Sequence, residues 1–223
     1  MREIHNVLFD LDGTLVDSSA AIRASLVYAL QRLGRSWPDE LEVRGLIGLA
    51  LVDIFERQFG IVGAPAEQAI ANYREHYDSE ARHATRVYDR VEETLASLHG
   101  QGRRLVLATV KPTAIAQKVL EEMGLAAWFS GVAGSSMDHA RRDKGDIIRH
   151  AAQRFGLAPE ASVMVGDRAQ DIGGARRNGM RSVGVTYGFG STQELSAAGA
   201  DHLIDCASQL PAVLGIGRGP AGD

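Results

Sequence analysis

The sequence of 223 residues predicts an α/β fold built on a parallel β-sheet, and two observations lead to this prediction. Five short apolar runs have the length and composition of buried strands, and helical patterns separate the last four of them. Each of these helical patterns ends near a glycine, a residue that commonly follows the last turn of a helix. Strands that alternate with helices form βαβ units, so the sheet is expected to be parallel.

The predicted elements can be placed along the chain. The strands are expected at residues 5–9, 105–108, 162–165, 182–185 and 202–204. The helical patterns between the later strands cover residues 112–123, 145–155, 171–178 and 193–198, and the glycines that end them are Gly124, Gly156, Gly179 and Gly199.

Residues 17–87 differ from the rest of the chain because they show helical patterns and no convincing strand. These patterns cover residues 19–33, 39–47, 51–59 and 67–84. The sequence therefore predicts an all-helical domain inserted after the first strand of a Rossmann-like core domain. The predicted core comprises residues 1–16 and 88–215, and residues 216–223, rich in glycine, are expected to form a loose C-terminal tail.

Composition and charge exclude several classes of protein. The chain has 24 basic and 28 acidic residues, a formal charge of −4, which argues against a binder of nucleic-acid polymers. Cys206 is the sole cysteine, so neither a disulfide framework nor a cysteine zinc cluster can form, and a cytoplasmic location is expected. No apolar run approaches the roughly 20 residues of a membrane helix, and the N-terminus does not resemble a signal peptide. We expect no membrane partner and a monomer or homodimer.

Several polar residues follow the predicted strands directly. Asp10 and Asp12 end the first strand, Thr109 and Lys111 end the second, and Asp167 ends the third. Ligands of open parallel sheets bind at the carboxyl ends of the strands. The sequence therefore predicts a polar site at this edge of the sheet.

The carboxylates expected at this edge require a cation. Two unit charges 4 Å apart interact by about 4 kcal/mol at an effective dielectric constant near 20, and Asp167 and Asp171 are expected beside Asp10 and Asp12. A hard divalent ion with oxygen ligands, here Mg²⁺, would relieve this repulsion and would also neutralise a phosphate. The chain contains no Walker A or HExxH motif, and its spacing does not fit an EF-hand.

Four motifs resemble those of the haloacid dehalogenase superfamily of phosphatases. The run VLFDLDGTL at 7–15 is similar to the first motif of that family, and residues 105–109 resemble the second. Lys144 resembles the lysine motif, and the run VGDRAQDI at 165–172 resembles the fourth. Order and spacing both agree, and the helical insert lies where the family carries its first type of cap. The resemblance covers the chain to about residue 214.

The resemblance implies a role for each matching residue. Asp10 would be the nucleophile that forms an aspartyl phosphate, and Asp12 would protonate the leaving alkoxide and then activate water. Lys144 would balance the negative charge and stabilise the transition state. Mg²⁺ would be bound by Asp10, Asp167 and the backbone carbonyl of Asp12, with Asp171 acting through water or from behind the direct ligands. The residues that would hold phosphoryl oxygens are Thr109, Lys144 and the backbone N–H groups near Gly13 and Val110.

One position departs from the family pattern, and several others have competing interpretations. Val110 stands where relatives commonly have Asn or Ser, which removes a side-chain hydrogen bond but not a backbone contact to phosphate. We expect Lys111 to be a surface residue. The remaining candidates are expected to be structural more often than functional: Arg44, Arg57 and Tyr73 in the insert, His139 and Arg141 in a loop, and Trp37 and Trp128 as packing residues.

Several functions remain open. The first hypothesis is a Mg²⁺-dependent phosphomonoesterase that acts on a small phosphorylated metabolite under a mobile helical lid. The runs YGFGS at 187–191 and AGAD at 198–201 resemble a subgroup described as 5′-nucleotidase-like, which favours nucleoside monophosphates, and they are also similar to phosphoglycolate phosphatases. A phosphoryl mutase similar to β-phosphoglucomutase is a second hypothesis, and a non-catalytic module that binds metal and phosphate is a third.

Overall fold

The computed structural model describes residues 3–136 and 141–215. Six strands form one sheet, and they are β1 (Asn6–Phe9), β4 (Arg104–Pro112), β5 (Gly131–Ser135), β6 (Ser162–Gly166), β7 (Arg181–Val185) and β8 (His202–Ile204). Their order in the sheet is β5-β4-β1-β6-β7-β8, and each neighbouring pair is parallel. The predicted α/β fold with a parallel sheet is confirmed.

The first strand lies in the middle of the sheet. Leu8 of β1 is in register with Val106 of β4 on one side and with Met164 of β6 on the other. Successive side chains of a strand point to opposite faces. Val7 and Phe9 accordingly pack in the larger apolar core, whereas Leu8 packs on the other face with residues such as Ile147. Because β1 is buried on both faces, its end is held rigidly.

Six helices lie between or after these strands in the described part of the chain that follows residue 87. They are α4 (Val91–Gly100), α5 (Thr113–Glu122), α6 (Lys144–Phe155), α7 (Ala169–Arg177), α8 (Thr192–Ala198) and the short α9 (Leu210–Val213). The four predicted helices in this part correspond to α5–α8, each within two residues at either end. The sequence analysis missed α4, the short α9 and the strand β5.

The segment between β1 and β4 is largely helical. It contains α1 (Ser19–Arg32), a short helix α2 (Leu51–Asp53) that continues as a π-helical turn (Ile54–Gln58), and α3 (Ala64–Ser79). Two-residue strands, β2 (Val16–Asp17) and β3 (Arg86–Val87), pair antiparallel where this segment leaves and rejoins the sheet. We refer to residues 18–85 as the insert. Treating it as a separate cap domain with boundaries at residues 17 and 87 stays a prediction.

One predicted helix of the insert is wrong. Residues 39–47 form only a 3₁₀ turn (Val43–Gly45) instead of a helix. The predicted helix at 67–84 is also divided, because α3 ends at Ser79 and a 3₁₀ turn (Ala81–Ala84) follows. The proposed C-terminal tail, 216–223, lies outside the described residues. Within the described ranges, no helix combines the length and hydrophobicity that crossing a bilayer requires.

Candidate active site

Two carboxylates emerge where the central strand ends. Asp10 directly follows β1, and its backbone N–H continues the ladder by donating to Val165 at 2.9 Å. The chain then turns sharply, because Leu15 N–H donates to Leu11 O at 2.9 Å. Gly13 lies in this turn with a φ of +89°, and a side chain there would collide with the carboxylate of Asp167. The turn therefore requires glycine and brings the first motif against the fourth.

Lys144 joins the first and fourth motifs electrostatically. It is the first residue of α6, and its fully buried Nζ lies 2.6 Å from Asp10 Oδ1 and 2.8 Å from Asp171 Oδ1. Burial opposes the charged form, but the two carboxylates outweigh burial and raise the pKa of Lys144 above its usual value. The side chain is therefore held as a cation between two acids.

The two carboxylate oxygens of Asp171 contact different groups. Its Oδ2 accepts a hydrogen bond from Arg168 N at 3.0 Å and so caps the first turn of α7, while its Oδ1 faces Lys144. A capping carboxylate satisfies an N–H group that has no partner within the helix. Helix capping and proximity to the acidic cluster are thus combined in one side chain.

Asp167 is fully buried at the end of β6. Its Oδ2 accepts a hydrogen bond from Phe189 N at 2.8 Å, and its Oδ1 faces Thr14 Oγ1 at 3.4 Å. Phe189 lies between Gly188 and Gly190, and a side chain at either glycine would collide with Asp167 or its backbone. This glycine loop therefore wraps closely around Asp167 and fixes the orientation of its carboxylate.

The acids of the site form a group that fits a cation. Asp10, Asp167 and Asp171 are buried, and each offers a carboxylate oxygen within 4.8 Å of the others. Burial raises the pKa of Asp167 to about 8, with further contributions from Asp171 and Asp10. Burial likewise raises the pKa of Asp10 to about 6, although Lys144 opposes this shift. Burial disfavours the charged forms of these acids, so a bound cation would stabilise them, and oxygen donors suit a hard divalent cation.

Asp12 takes no part in this trio through its carboxylate. Ser18 donates a hydrogen bond to Asp12 Oδ1 at 2.6 Å, and Lys111 Nζ lies 3.0 Å from Asp12 Oδ2. Both carboxylate oxygens of Asp12 are therefore engaged by donors from Ser18 and Lys111. Any contribution of Asp12 to a cation site would come from its backbone, as the resemblance implies.

The prediction that Lys111 is a surface residue is wrong. Its side chain is only 8% exposed and packs over the ring of Tyr77, with Nζ 4.6 Å from the ring centroid. Burial lowers the affinity of Lys111 for a proton, but Asp12 and then Tyr77 and Tyr73 more than reverse this effect and raise its pKa. Lys111 therefore connects an acid of the sheet edge to α3 of the insert.

Thr109 and Val110 line the same cavity as Asp10 and Asp12. Thr109 is buried near the end of β4, and its Oγ1 accepts a hydrogen bond from Lys111 N at 3.2 Å. The Val110 side chain is buried in the apolar cluster that contains Leu8. The insert supplies most of the remaining wall, which is largely apolar and includes Leu46, Ile47, Leu51, Ile54, Tyr73 and Tyr77.

The fourth motif also binds the insert. Arg168 Nη1 donates to the carbonyls of Arg44 at 3.1 Å and Ile47 at 3.0 Å, and Gln170 Nε2 donates to Gly48 O at 2.6 Å. In return, Arg44 donates to Gly188 O at 2.8 Å and packs over the Phe189 ring. The loop at residues 44–48 is therefore connected to the glycine loop that holds Asp167.

The other sequence candidates have mainly structural surroundings. Arg57 is largely exposed and forms an ion pair with Asp53 within its own helical turn, and Arg141 contacts Gly134 O. Trp37 packs against Phe59 in the insert. Trp128 packs edge-on against His99, and both tryptophans pack as predicted. His139 lies outside the described residues.

Sequence reasoning missed three parts of the site. Ser18, the donor to Asp12, carries no motif signal, and the burial of Lys111 depends on a distant helix. The glycine loop 188–190 could have been recognised from its two glycines, since close backbone approach often requires glycine, but the sequence analysis used it for a resemblance to a subgroup and not as part of the site.

The comparisons with known proteins agree with this geometry. A family model described as haloacid dehalogenase-like hydrolase matches residues 7–185, and the chain belongs to this family. With the phosphatase names of its relatives, this membership identifies the chain as a phosphatase enzyme of the haloacid dehalogenase type. The resemblance inferred from the four motifs is thereby confirmed.

Individual relatives support the same class. The chain is 39% identical over 209 residues to a 5′-nucleotidase from Pseudomonas aeruginosa, covering 94% of this chain and 95% of that protein. It is 36% identical to the tyrosine-protein kinase PtkA of Mycobacterium tuberculosis (94% and 72% covered) and 30% identical to a phosphoglycolate phosphatase of Salmonella paratyphi A (97% and 94%). A solved structure described as a predicted phosphatase from Clostridium acetobutylicum has a TM-score of 0.91 and 36% identity, covering 96% and 99%.

Proposed function

We propose that the protein is a Mg²⁺-dependent phosphomonoesterase that acts through an aspartyl phosphate on Asp10. The observation that carries the proposal is the placement of Lys144 Nζ within 2.8 Å of both Asp10 and Asp171, beside the buried Asp167. An acid at the tip of a rigid central strand, next to a fixed cation, suits nucleophilic attack on an electrophilic phosphorus.

The fit of the site to Mg²⁺ rests on its charges and donor atoms. Asp10 and Asp167 and the Asp12 backbone carbonyl would hold the ion, with Asp171 behind them. When bound, the ion supplies positive charge that neutralises the carboxylates and the phosphate. The raised pKa values of Asp10 and Asp167 support this proposal, because burial disfavours the charged forms of both acids and a bound cation would restore them.

Side chains of the protein would carry out the remaining steps of the proposed reaction. Lys144 would hold the carboxylate of Asp10 in place and stabilise negative charge that accumulates on the phosphoryl oxygens. Thr109 and nearby backbone N–H groups would orient those oxygens. Asp12, fixed by Ser18 and Lys111, would give a proton to the departing alkoxide and then take one from the attacking water.

We further propose that the substrate is a small phosphorylated metabolite and that the insert acts as its lid. A nucleoside monophosphate is favoured by the resemblance at 187–201 and by the relative named 5′-nucleotidase. Phosphoglycolate is the alternative, supported by the relative named phosphoglycolate phosphatase. The cavity wall formed by the insert would exclude bulk water during the reaction. A cytoplasmic location and a monomeric or dimeric state stay predictions.

The first prediction concerns the fate of the phosphoryl group. With nucleoside monophosphates, phosphoglycolate and hexose phosphates assayed in parallel, we expect release of inorganic phosphate in step with loss of the preferred ester, and no release after chelation of divalent metal. The acceptor is then water. A mutase, or a transferase such as the name of the PtkA relative implies, would instead consume ester and return little free phosphate, which would contradict the proposal.

The second prediction separates the two half-reactions. Asp12→Asn keeps the shape of the side chain but cannot accept the proton of the attacking water, so hydrolysis of the phosphoenzyme should slow by about 10²-fold or more. With an ester of a good leaving group, which needs no protonation, phosphorylated protein should accumulate within one turnover. Rapid quench with a ³²P-labelled ester measures it, and Asp17→Asn is the matched control. Slow turnover without phosphoenzyme would contradict the role of Asp12.

A further inference from the structure

The cavity above Asp10 contains one basic side chain whose charge has no partner among the described residues. Arg74 lies on α3 of the insert and lines the cavity together with Asp10, Asp12 and the apolar side chains of the insert. Its Nε and Nη2 atoms are buried and form no hydrogen bond with any described residue. Lys111 and Lys144, the other buried cations of the site, each have a carboxylate within 3.0 Å.

Arg74 is half-buried as a residue, and the described side chains around it supply no acceptor for these two atoms. Burial lowers the pKa of its guanidinium, and no described carboxylate contributes an opposing shift. On its other side Arg74 borders a groove that contains Glu56 and Glu67, but neither forms an ion pair with it in the described ranges. Leaving buried N–H donors of a cation unpaired is costly unless a ligand supplies acceptors.

The two unpartnered atoms also define the shape of the missing ligand. Nε and Nη2 carry N–H groups on the same edge of the planar guanidinium, and this edge donates two parallel hydrogen bonds. Two adjacent acceptor atoms match it. Such a pair is offered by a carboxylate or a phosphate, and also by O6 and N7 of guanine. Adenine does not offer it, because its N6 amino group is a donor.

We propose that Arg74 selects the leaving group of the substrate by binding a pair of adjacent acceptors with its Nε and Nη2 edge. The inference rests on the proposed phosphomonoesterase function and deepens it, since it assigns a binding residue to the part of the ester that leaves. Within the nucleotide hypothesis it specifies guanosine monophosphate over adenosine monophosphate. Within the alternative it specifies an ester whose leaving group is an acid.

The experiment compares matched pairs of esters with purified full-length protein and Mg²⁺. One pair is guanosine and adenosine 5′-monophosphate, and the other is phosphoglycolate and the phosphate ester of glycolamide, which lacks the charge and one acceptor. For each pair the ratio of kcat/KM is measured in the wild type, Arg74→Gln, Arg74→Lys and the control Arg57→Gln. The control removes an exposed arginine of the same insert, whose ion pair within the described part of the chain is with Asp53.

We expect the wild type to prefer the acceptor-bearing member of at least one pair, and Arg74→Gln to lower that ratio by roughly 10- to 100-fold. Arg74→Lys keeps the charge but not the paired donors, so it should recover only part of the ratio. Arg57→Gln should leave the ratio unchanged. The pair that responds identifies whether the acceptors belong to a base or to an acid.

Several results would overturn the inference. They are a wild type without preference in either pair, an unchanged ratio in Arg74→Gln, an equal loss in Arg57→Gln, or complete recovery of the ratio by Arg74→Lys. In each of these cases the wild type still releases phosphate, so the proposed function would stand. If the wild type released no phosphate from any of the four esters or from p-nitrophenyl phosphate, both proposals would fall together.

Discussion

Asp10→Asn is expected to reduce turnover by at least about 10³-fold while the protein remains folded. The amide is nearly the same size as the carboxylate, but it is a far weaker nucleophile. The variant removes one of the two anions that face Lys144, and Asp171 at 2.8 Å still balances the lysine. Because burial raises the pKa of Asp10 to about 6, its charge is unfavourable in the metal-free fold at neutral pH. We therefore expect no loss of metal-free stability.

Two measurements check this prediction. Phosphate release is followed with the preferred ester, and thermal unfolding is followed by circular dichroism in the absence of divalent metal. Asp17→Asn is the matched control, because Asp17 lies seven residues further on, where its carboxylate accepts a hydrogen bond from Ser19 N. Retention of even a tenth of the wild-type rate by Asp10→Asn would exclude Asp10 as the nucleophile.

The sheet could be predicted where its strands have a strong local signal. The central strands carry runs such as VLF and LVLA, and the sequence analysis located them correctly. Strand β5 has the sequence GVAGS, whose glycines and small residues give no such signal. Strand β5 forms because its backbone pairs in parallel with Val106 to Ala108 of β4. Gly134 is required within it because a side chain there would collide with the backbone of residues 111–113.

The loop at residues 39–47 shows how tertiary contacts override a local pattern. Its apolar residues are spaced as in a helix, but the carbonyls of Arg44 and Ile47 accept hydrogen bonds from Arg168 instead of from a following turn. A backbone acceptor that a distant arginine satisfies does not need helical geometry. The sequence alone could not reveal this, since Arg168 is more than 120 residues away along the chain.

The acids of the site were predictable, whereas their supporting residues were not. Asp10, Asp12, Asp167 and Asp171 end strands or begin helices at one sheet edge, so topology alone places them together. Lys111 ends a strand at the same edge but was assigned to the surface. Its burial depends on Tyr77, which α3 brings over it from the insert. The burial of a residue by side chains from a distant part of the chain cannot be predicted from the sequence around that residue.

Asp167→Asn is expected to abolish stabilisation by Mg²⁺ and to lower activity at saturating Mg²⁺ by at least about 100-fold. The reason is that Asp167 is the buried acid of the trio that forms no ion pair with residues 3–136 and 141–215, since Lys144 reaches Asp10 and Asp171 instead. Thermal unfolding of both proteins with and without Mg²⁺ measures the first effect. Asn can still accept the hydrogen bond from Phe189 N, so the glycine loop should remain in place.

The same variant, Asp167→Asn, is also expected to change how the free energy of unfolding depends on pH in the absence of metal. Burial raises the pKa of Asp167 to about 8 from a usual value of 3.8, so the folded state binds a proton more tightly than the unfolded state. The metal-free wild type therefore loses stability as the pH rises from about 4 to about 8, and the loss is complete above that range. Asp167→Asn lacks this loss, so its free energy of unfolding should increase relative to the wild type across the same window. The exposed acid Asp39, changed to Asn, is the control variant for this comparison. If Mg²⁺ raised the melting temperature of Asp167→Asn as much as that of the wild type, the cation would not be bound by this carboxylate, and the buried acids would need another explanation.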